Sequence, residues 1–318
     1  MITVLSGDWQ VRRAYAAAGA IALLFSLSGC AAPSTETDNL TTPPLTTTAN
    51  VGSNKTAQPL EALKITILPD QSGGDRAVNI AELNTYLSES LNIPIEIDIA
   101  SDYNNAVERL VSGIANMAYL GPLTYVQAKE QDPTIEPLVA PIDSRTGRPW
   151  YTSTIVSTIE IETLEDLQGK RFGFVNNAST SGFLVPRHAF QMMGLNPETD
   201  FAEIRYGEAH DKTLQLLLDG EVEAIAIDRS TYRKNVESGV LDPEKYHLIW
   251  ESEPITNAPI VISKEIPPDL KIELQKALVN APAGLVSIST DDSAGYTIVQ
   301  DADYNFVRQL HRSLHTEN

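Results

Sequence analysis

Hydrophobic and polar positions alternate along the start of the folded region in a strand, helix, strand, helix, strand order. Apolar and β-branched residues predict strands at 63–68, 94–100 and 114–120. Between these strands, apolar residues spaced three or four apart predict helices at 79–91 and 104–112. Because parallel neighbouring strands need helical crossovers, this order predicts an α/β domain with a mostly parallel sheet.

The same alternation continues from residue 151. Further strands are predicted at 151–158, 170–175, 202–206, 222–228, 247–250 and 258–263, and helices at 182–193, 211–218, 268–279 and 303–314. We therefore predict two α/β lobes, with a second lobe at 154–256 inserted into a first lobe formed by 62–153 and 257–318. Ligands of open α/β sheets bind beyond the carboxyl ends of the strands, so the cleft between the lobes is the expected site.

The first 30 residues follow a different pattern. Arg12 and Arg13 precede an apolar stretch at 16–27, which is too short to span a bilayer comfortably and ends in Ser-Gly-Cys. This order predicts a signal peptide at 1–29. Residues 27–30, Leu-Ser-Gly-Cys, resemble a bacterial lipobox, which implies that Cys30 is lipidated and becomes the N-terminus. The alternative is an ordinary signal peptide followed by a chance cysteine.

A Thr- and Pro-rich segment separates Cys30 from the folded region. Residues 30–61 have neither a helical nor a strand period and few large apolar side chains. Such a composition cannot bury enough apolar surface to offset the entropy lost on ordering. We predict that this segment is a disordered tether.

The charge balance narrows the possible partners. The 318 residues include 23 Lys plus Arg and 42 Asp plus Glu, a net charge of −19. Such a surface repels nucleic acid and anionic lipid, so any anionic ligand must be held mainly by neutral donors. The single cysteine excludes an intramolecular disulfide framework and a thiolate zinc cluster within the chain.

The most informative connection follows the strand predicted at 170–175. Ser179, Thr180 and Ser181 precede Gly182, where a helix is predicted to begin. The first turn of a helix has unpaired N–H groups and a partial positive charge, so it attracts anions. An ordinary Ser or Thr N-cap without a ligand is the alternative. The segment has no Gly-x-Ser-x-Gly elbow, which argues against a nucleophilic serine here.

Several short motifs occur in order along the folded region. They are Ser-Asp-Tyr at 101–103, Leu-Gly-Pro-Leu-Thr-Tyr at 120–125, Leu-Glu-Asp-Leu-Gln-Gly-Lys at 164–170, Ser-Thr-Ser-Gly-Phe-Leu-Val-Pro at 179–186, Ala-His-Asp at 209–211, Ile-Trp-Glu-Ser at 249–252 and Pro-Ile-Val at 259–261. Together they resemble the phosphate, phosphite and phosphonate-binding components of ABC transporters, and the segment at 179–186 is the most specific match. The resemblance implies the two-lobed periplasmic-binding-protein fold of type II, with the ligand between the lobes.

The resemblance implies which residues hold the ligand oxygens. Ser179, Thr180, Ser181 and His210 are similar to the residues that bind phosphonate oxygens in the family. An imidazole can donate a hydrogen bond to an oxyanion, so this role suits the chemistry of His210. Without the resemblance, His210 could equally be a surface or capping histidine at the start of a helix.

The resemblance also implies that aromatic residues close over the ligand from the other lobe. These are Tyr103 and one of the neighbours Trp150 and Tyr151. Successive side chains of a strand point to opposite faces, so only one of the two neighbours can face the cleft.

Departures from the family pattern narrow the ligand. Where family members that bind aminoalkyl phosphonates have acids, this chain has Ser230 and Asn257. An unpaired ammonium in a closed cleft is costly, so 2-aminoethylphosphonate is disfavoured. Asp228 could accept from a P–OH group, or it could be a residue of the turn after a strand. Phosphite, methylphosphonate and phosphate remain open.

The sequence predicts a monomeric solute-binding component of an ABC importer, at the extracytoplasmic face and anchored through Cys30, with a permease and an ATPase as partners. No nucleotide loop, dinucleotide fingerprint or metal-ligand cluster is present, so no cofactor is expected. One alternative is a ligand-sensing lipoprotein of a signalling system. The other alternative is a hydrolase with Ser179, His210 and Asp211 as a triad. A His and an Asp that are adjacent in sequence rarely have the geometry that a triad needs.

Overall fold

The computed structural model describes residues 60–69, 74–282 and 293–315. The signal peptide predicted at 1–29, Cys30 and almost all of the predicted tether lie outside the described residues. Within those three ranges, no helix has the length and apolar character needed to cross a bilayer. The same ranges contain no group of three or more His, Cys, Asp or Glu side chains placed to hold a metal ion.

The strands occur where β-branched and apolar residues cluster. In chain order they are β1 (Leu63–Ile67), β2 (Ile95–Ile99), β3 (Met117–Tyr119), β4 (Glu136–Asp143), β5 (Trp150–Tyr151), β6 (Ser153–Thr158), β7 (Arg171–Phe174), β8 (Glu203–Tyr206), β9 (Ala224–Asp228), β10 (Tyr246–Glu251), β11 (Ile255–Thr256), β12 (Ile260–Ile262) and β13 (Ser293–Ile298).

Helices connect most of these strands. They are α1 (Gly74–Leu91), α2 (Tyr103–Val111), α3 (Pro122–Gln131), α4 (Val185–Met192), α5 (Pro197–Asp200), α6 (His210–Leu218), α7 (Arg229–Glu237), α8 (Pro268–Val279) and α9 (Asn305–His315). Short 3-10 turns lie at Glu165–Leu167 and Asp301–Tyr304, and a π-helical turn at Thr180–Leu184 leads directly into α4.

The strands form two sheets, which confirms the α/β class. A six-stranded sheet has the order β13-β4-β12-β3-β1-β2, and a five-stranded sheet has the order β10-β6-β9-β7-β8. The prediction of mostly parallel sheets was wrong in detail, because both sheets are mixed. The pairs β1–β2, β1–β3, β7–β8 and β7–β9 are parallel, and the pairs made by β6, β10, β12 and β13 are antiparallel.

We call the six-stranded sheet with α1, α2, α3, α8 and α9 the first lobe, and the five-stranded sheet with α4 to α7 the second lobe. The chain passes between them at β5 and β11, which pair antiparallel as a separate two-stranded ribbon. The ranges 62–153, 257–318 and 154–256 given above for the lobes stay a prediction.

Apolar packing also joins the two lobes. Tyr304, Val307 and Leu310, at and within α9, belong to one buried cluster with residues of both sheets. The Tyr304 hydroxyl donates to the Asn257 carbonyl at 3.0 Å, just after β11. The C-terminal helix is therefore fastened beside the ribbon that connects the lobes.

Candidate functional site

The loop after β7 turns back on its own strand. The Val175 N–H donates to the Gly182 carbonyl at 3.0 Å, while the Gly182 N–H donates to Ser179 Oγ at 3.0 Å. Ser179 is thus the N-cap of the π-helical turn, as a hydroxyl at that place favours. The helix begins at Thr180, two residues before the predicted start, so the amides of the hydroxyl residues themselves form its first turn.

Gly182 is required by this reversal. A Cβ atom at this position would lie 2.3 Å from Val175 Cγ2 and 2.5 Å from Val175 Cβ. Contacts that short are not found between real side chains, so the backbone would have to move. The close approach of loop and strand therefore depends on a residue without a side chain.

His210 is held from behind by Asp228. Its Nδ1 atom lies 3.1 Å from Asp228 Oδ2 and 3.2 Å from the Asp228 backbone nitrogen. A protonated Nδ1 donates to the carboxylate, and an unprotonated Nδ1 accepts from the Asp228 N–H. Both side chains are buried. Either arrangement uses Nδ1 and leaves Nε2 as the ring nitrogen that can bond to a ligand.

Asp228 is the N-cap of α7, and protein donors surround its carboxylate. Thr231 donates from its backbone N–H at 2.9 Å and from its hydroxyl at 2.6 Å, and the Ser230 hydroxyl donates as well. Burial raises the pKa of Asp228, but the charge of His210 and these hydrogen bonds outweigh it, so the pKa is lowered overall. With these donors and His210 in place, the carboxylate has little capacity left for a ligand.

These groups meet in a cavity of about 70 Å³, several times the space that one water molecule needs. Its lining is drawn from both lobes and from β5. The lining residues are Leu68, Tyr103, Tyr119, Gly121, Pro122, Asp143, Tyr151, Ser179, Thr180, Ser181, His210, Asp228, Ser230, Asn257 and Ala258.

Five helix N-termini contribute to this lining. Tyr103, Pro122, Thr180 and His210 are the first residues of α2, α3, the π-helical turn and α6, and Asp228 caps α7. Each N-terminus carries a partial positive charge. Among the described residues that line the cavity, none is a lysine or arginine. Any attraction for an anion must therefore come from helix dipoles, amides, hydroxyls and one imidazole.

One hydrogen bond crosses the cavity from lobe to lobe. The Leu123 N–H, at the start of α3, donates to Thr180 Oγ1 at 2.8 Å. Both groups are buried, so the two lobes are in contact at the loop that precedes Gly182. The Thr180 hydroxyl thus links the N-terminus of α3, in the first lobe, to the N-terminus of the π-helical turn, in the second lobe.

Most of the residues singled out from the sequence lie together. Among the predicted binding residues, Trp150 alone is outside the lining, because alternation along β5 turns Tyr151 inward and Trp150 outward. Trp150 is 45% exposed, and the Arg148 guanidinium lies 5.6 Å from its ring centroid. The residues brought together are Tyr103, Tyr151, Ser179, Thr180, Ser181, His210 and Asp228.

Sequence reasoning missed several lining residues. Leu68 follows β1 and Tyr119 ends β3, so the rule that ligands bind at the carboxyl ends of strands could have found both. Pro122 begins α3, which is not among the predicted helices. Asp143 ends β4, which is not among the predicted strands, and no sequence signal points to it.

Comparison with known proteins gives one family. Residues 65–304 match the family described as "ABC transporter, phosphonate, periplasmic substrate-binding protein". This match covers most of the described chain and includes every residue that lines the cavity.

Individual relatives are similar over most of the folded region. The chain is 27% identical over 273 residues to the phosphate-import protein PhnD of Mycolicibacterium smegmatis, covering 79% of this chain and 85% of that protein. It is 24% identical over 197 residues to a probable ABC transporter phosphite binding protein, PhnD1, of Prochlorococcus marinus, covering 60% and 66%.

A solved structure shares the fold. PhnD1 of Prochlorococcus marinus, determined in complex with methylphosphonate, superposes with a TM-score of 0.72 at 19% identity, over 80% of this chain and 98% of that one. Such structures are two-lobed periplasmic binding proteins, so the two-lobed fold predicted from the sequence is confirmed.

Proposed function

The chain belongs to the family of periplasmic substrate-binding proteins of phosphonate ABC transporters, and we propose that it captures a small phosphorus oxyanion by closing its two lobes. Members of this family are binding proteins of transporters and not enzymes. Their place in an importer is extracytoplasmic. The proposed ligands are phosphite, methylphosphonate and phosphate, with 2-aminoethylphosphonate disfavoured.

The convergence of five helix N-termini on one small cavity carries the proposal. A phosphorus oxyanion has several acceptor oxygens and needs donors from several directions. Ser179, Thr180 and Ser181 offer hydroxyls, Thr180 and Ser181 offer first-turn amides, and His210 offers Nε2. These donors act at short range and do not depend on the net charge of the protein. An anion can therefore bind here although the chain carries a net charge of −19.

Lobe closure supplies the rest of the mechanism. The hinge we propose is the ribbon of β5 and β11, where the chain passes twice between the lobes. Closure seats Tyr103 and Tyr119 of the first lobe opposite Ser179 to Ser181 and excludes water from the oxyanion. Hydrogen bonds to a charged ligand are stronger in such a dry site. No covalent step on the ligand is required.

The lining supports a small ligand without an amine. Donors lie on one side, and Leu68, Tyr119 and Ala258 present apolar surface that suits a P–H or P–CH₃ group. Ser230 and Asn257 both line the cavity, at the positions where the sequence resemblance implies acids in aminoalkylphosphonate binders. An ammonium group would find no unengaged carboxylate there. Asp228 already accepts from Ser230 and Thr231, and Asp143 accepts from the Arg145 and Thr146 N–H groups and lies 3.8 Å from Arg233.

We propose in addition that the mature protein is a monomer, anchored by a lipid on Cys30, that delivers its ligand to a membrane permease and its ATPase. The support is the Leu-Ser-Gly-Cys sequence at 27–30 after an apolar stretch. Metabolic labelling with palmitate should tag the wild-type protein and not a Cys30→Ala variant. An unlabelled wild-type protein released in soluble form would contradict the anchor.

Calorimetry on the folded region tests the ligand. We expect phosphite, methylphosphonate or phosphate to bind more tightly than 2-aminoethylphosphonate, with a stoichiometry of one. Sulfate serves as a control anion of similar shape. Tighter binding of 2-aminoethylphosphonate would contradict the ligand class, and absence of binding to all four phosphorus compounds would contradict the proposed function.

A further inference from the structure

A second carboxylate lines the cavity from the first lobe. Asp143 is the last residue of β4, and its side chain is only 16% exposed. Its Oδ1 atom accepts the N–H groups of Arg145 at 3.0 Å and Thr146 at 2.8 Å, which fixes the carboxylate in the turn after the strand. A negative charge is therefore held at the wall of a cavity that is otherwise built for an anion.

The opposing positive charge comes from the second lobe. Arg233 lies on α7, the helix that Asp228 caps, and its Nη2 atom is 3.8 Å from Asp143 Oδ2. Its side chain is also 16% exposed, and it does not line the cavity. The pair joins two different sheets, so it exists only when the lobes are together.

We propose that Arg233 is a positioning residue that makes anion capture possible by neutralising Asp143 when the lobes close. An unscreened carboxylate beside the ligand would repel it strongly in a site from which water is excluded. Pairing with Arg233 removes most of that repulsion in the closed state. This inference rests on the proposed function. It makes Arg233, which does not touch the ligand, one of the residues that set the ligand affinity.

A neighbouring pair provides a matched control. Arg145 and Glu237 also bridge the same turn and the same helix, since Glu237 follows Arg233 by one helical turn. Their side chains are 49% and 56% exposed, and neither lines the cavity. Exposed ion pairs contribute little in water. Loss of this pair should therefore have little effect on the ligand.

The test is a double-mutant cycle read by calorimetry with methylphosphonate. Arg233→Gln should weaken binding about tenfold, because it leaves Asp143 unpaired beside the ligand. Asp143→Asn, which keeps the Oδ1 acceptor of the turn, should strengthen binding about threefold. The double variant should return to within about threefold of wild type, and Glu237→Gln should stay within about twofold.

A merely structural role for Arg233 predicts a different pattern. If the role is structural, Arg233→Gln should lower the unfolding temperature, and adding Asp143→Asn should not restore ligand binding. Binding by Arg233→Gln equal to wild type, or a double variant as weak as Arg233→Gln, would overturn the inference. If circular dichroism shows that Arg233→Gln does not fold, Asp143→Asn decides alone, and weaker binding by that variant overturns the inference.

The wild-type measurement separates the two proposals. Wild-type protein that binds none of phosphite, methylphosphonate, phosphate or 2-aminoethylphosphonate would overturn the proposed function and this inference with it. Wild-type binding together with an unaffected Arg233→Gln variant would overturn the inference alone.

Discussion

The two lobes bring different chemistry to one cavity. The second lobe supplies the Ser179, Thr180 and Ser181 hydroxyls, the His210 imidazole and three of the five helix N-termini. The first lobe supplies mostly aromatic and apolar surface, with Leu68, Tyr103, Tyr119 and Pro122, and the single acid Asp143. Under the proposed function, the second lobe binds the oxyanion and the first lobe encloses it.

The donor side is preorganised by its own hydrogen bonds. Ser179 caps the π-helical turn, and Asp228 fixes His210 while it caps α7. These contacts lie within the second lobe and do not need closure. The enclosing side reaches the donors through the Leu123 to Thr180 hydrogen bond, which does need closure. Changes in the second lobe should therefore abolish binding, and changes in the first should weaken it.

The largest effect should come from removing donors. Ser179→Ala combined with Thr180→Ala should weaken phosphorus oxyanion binding by about 100-fold or more, since a hydrogen bond to a charged group contributes about 1.5 to 3 kcal/mol. Calorimetry measures the affinity, and circular dichroism verifies the fold. Thr199→Ala removes an exposed hydroxyl from α5 and should change nothing. Unchanged affinity in the double variant would remove this loop from the site.

A pair of glycine variants compares the backbones of the two lobes. Gly182→Ala puts a Cβ atom 2.3 Å from Val175 Cγ2 and should lower the free energy of unfolding by about 2 to 3 kcal/mol. Gly121→Ala, across the cavity at the N-cap of α3, meets nothing closer than 3.5 Å and should cost less than about 1 kcal/mol. Urea unfolding measures both, and equal costs would contradict the close packing of the donor loop.

Neighbouring aromatics on β5 test the enclosing side. Tyr151→Ala should weaken binding about tenfold, because it opens the wall of the cavity that excludes water. Trp150→Ala should stay within about twofold, because Trp150 points outward toward Arg148. Calorimetry with methylphosphonate gives both values. If Trp150→Ala proved the weaker binder, the inward assignment of Tyr151 would be wrong.

The smallest effect concerns pH. The pKa of Asp228 is lower in the folded protein than in the unfolded chain, so below about pH 4 the unfolded chain binds more protons. Stability should therefore fall as the pH drops through the folded pKa. Asp228→Asn cannot titrate, so its unfolding free energy should fall less than that of wild type between pH 5 and pH 2.5. Equal losses in urea unfolding would contradict the lowered pKa of Asp228.

The sequence predicted the donor side better than the enclosing side. The hydroxyl run before Gly182 and the His210 helix were found because capping chemistry and family resemblance both mark helix starts. Helix α3 was missed because its residues are buried on nearly every face, which removes the helical period. Helix α7 was missed for the opposite reason, since Thr231 is its one buried residue and the helix is polar.

Partners across the cleft could not be read from the sequence. Asp143 and Arg233 are 90 positions apart and lie in different lobes, so no local period links them. Which of Trp150 and Tyr151 points into the cavity depends on the orientation of a two-residue strand. That orientation is set by the pairing of β5 with β11 and not by the local sequence. The role of Asp228 was left open between ligand acceptor and turn residue, and its N-cap contacts favour the second.

The central claim is that the N-terminal amides and hydroxyls of the second lobe hold a phosphorus oxyanion. A crystal structure with methylphosphonate tests it most directly. We predict phosphonate oxygens within about 3 Å of donors on Ser179, Thr180, Ser181 and His210 Nε2, with the methyl group toward Leu68 and Ala258. A methylphosphonate bound outside this cavity, or held there mainly by lysine or arginine, would contradict the account.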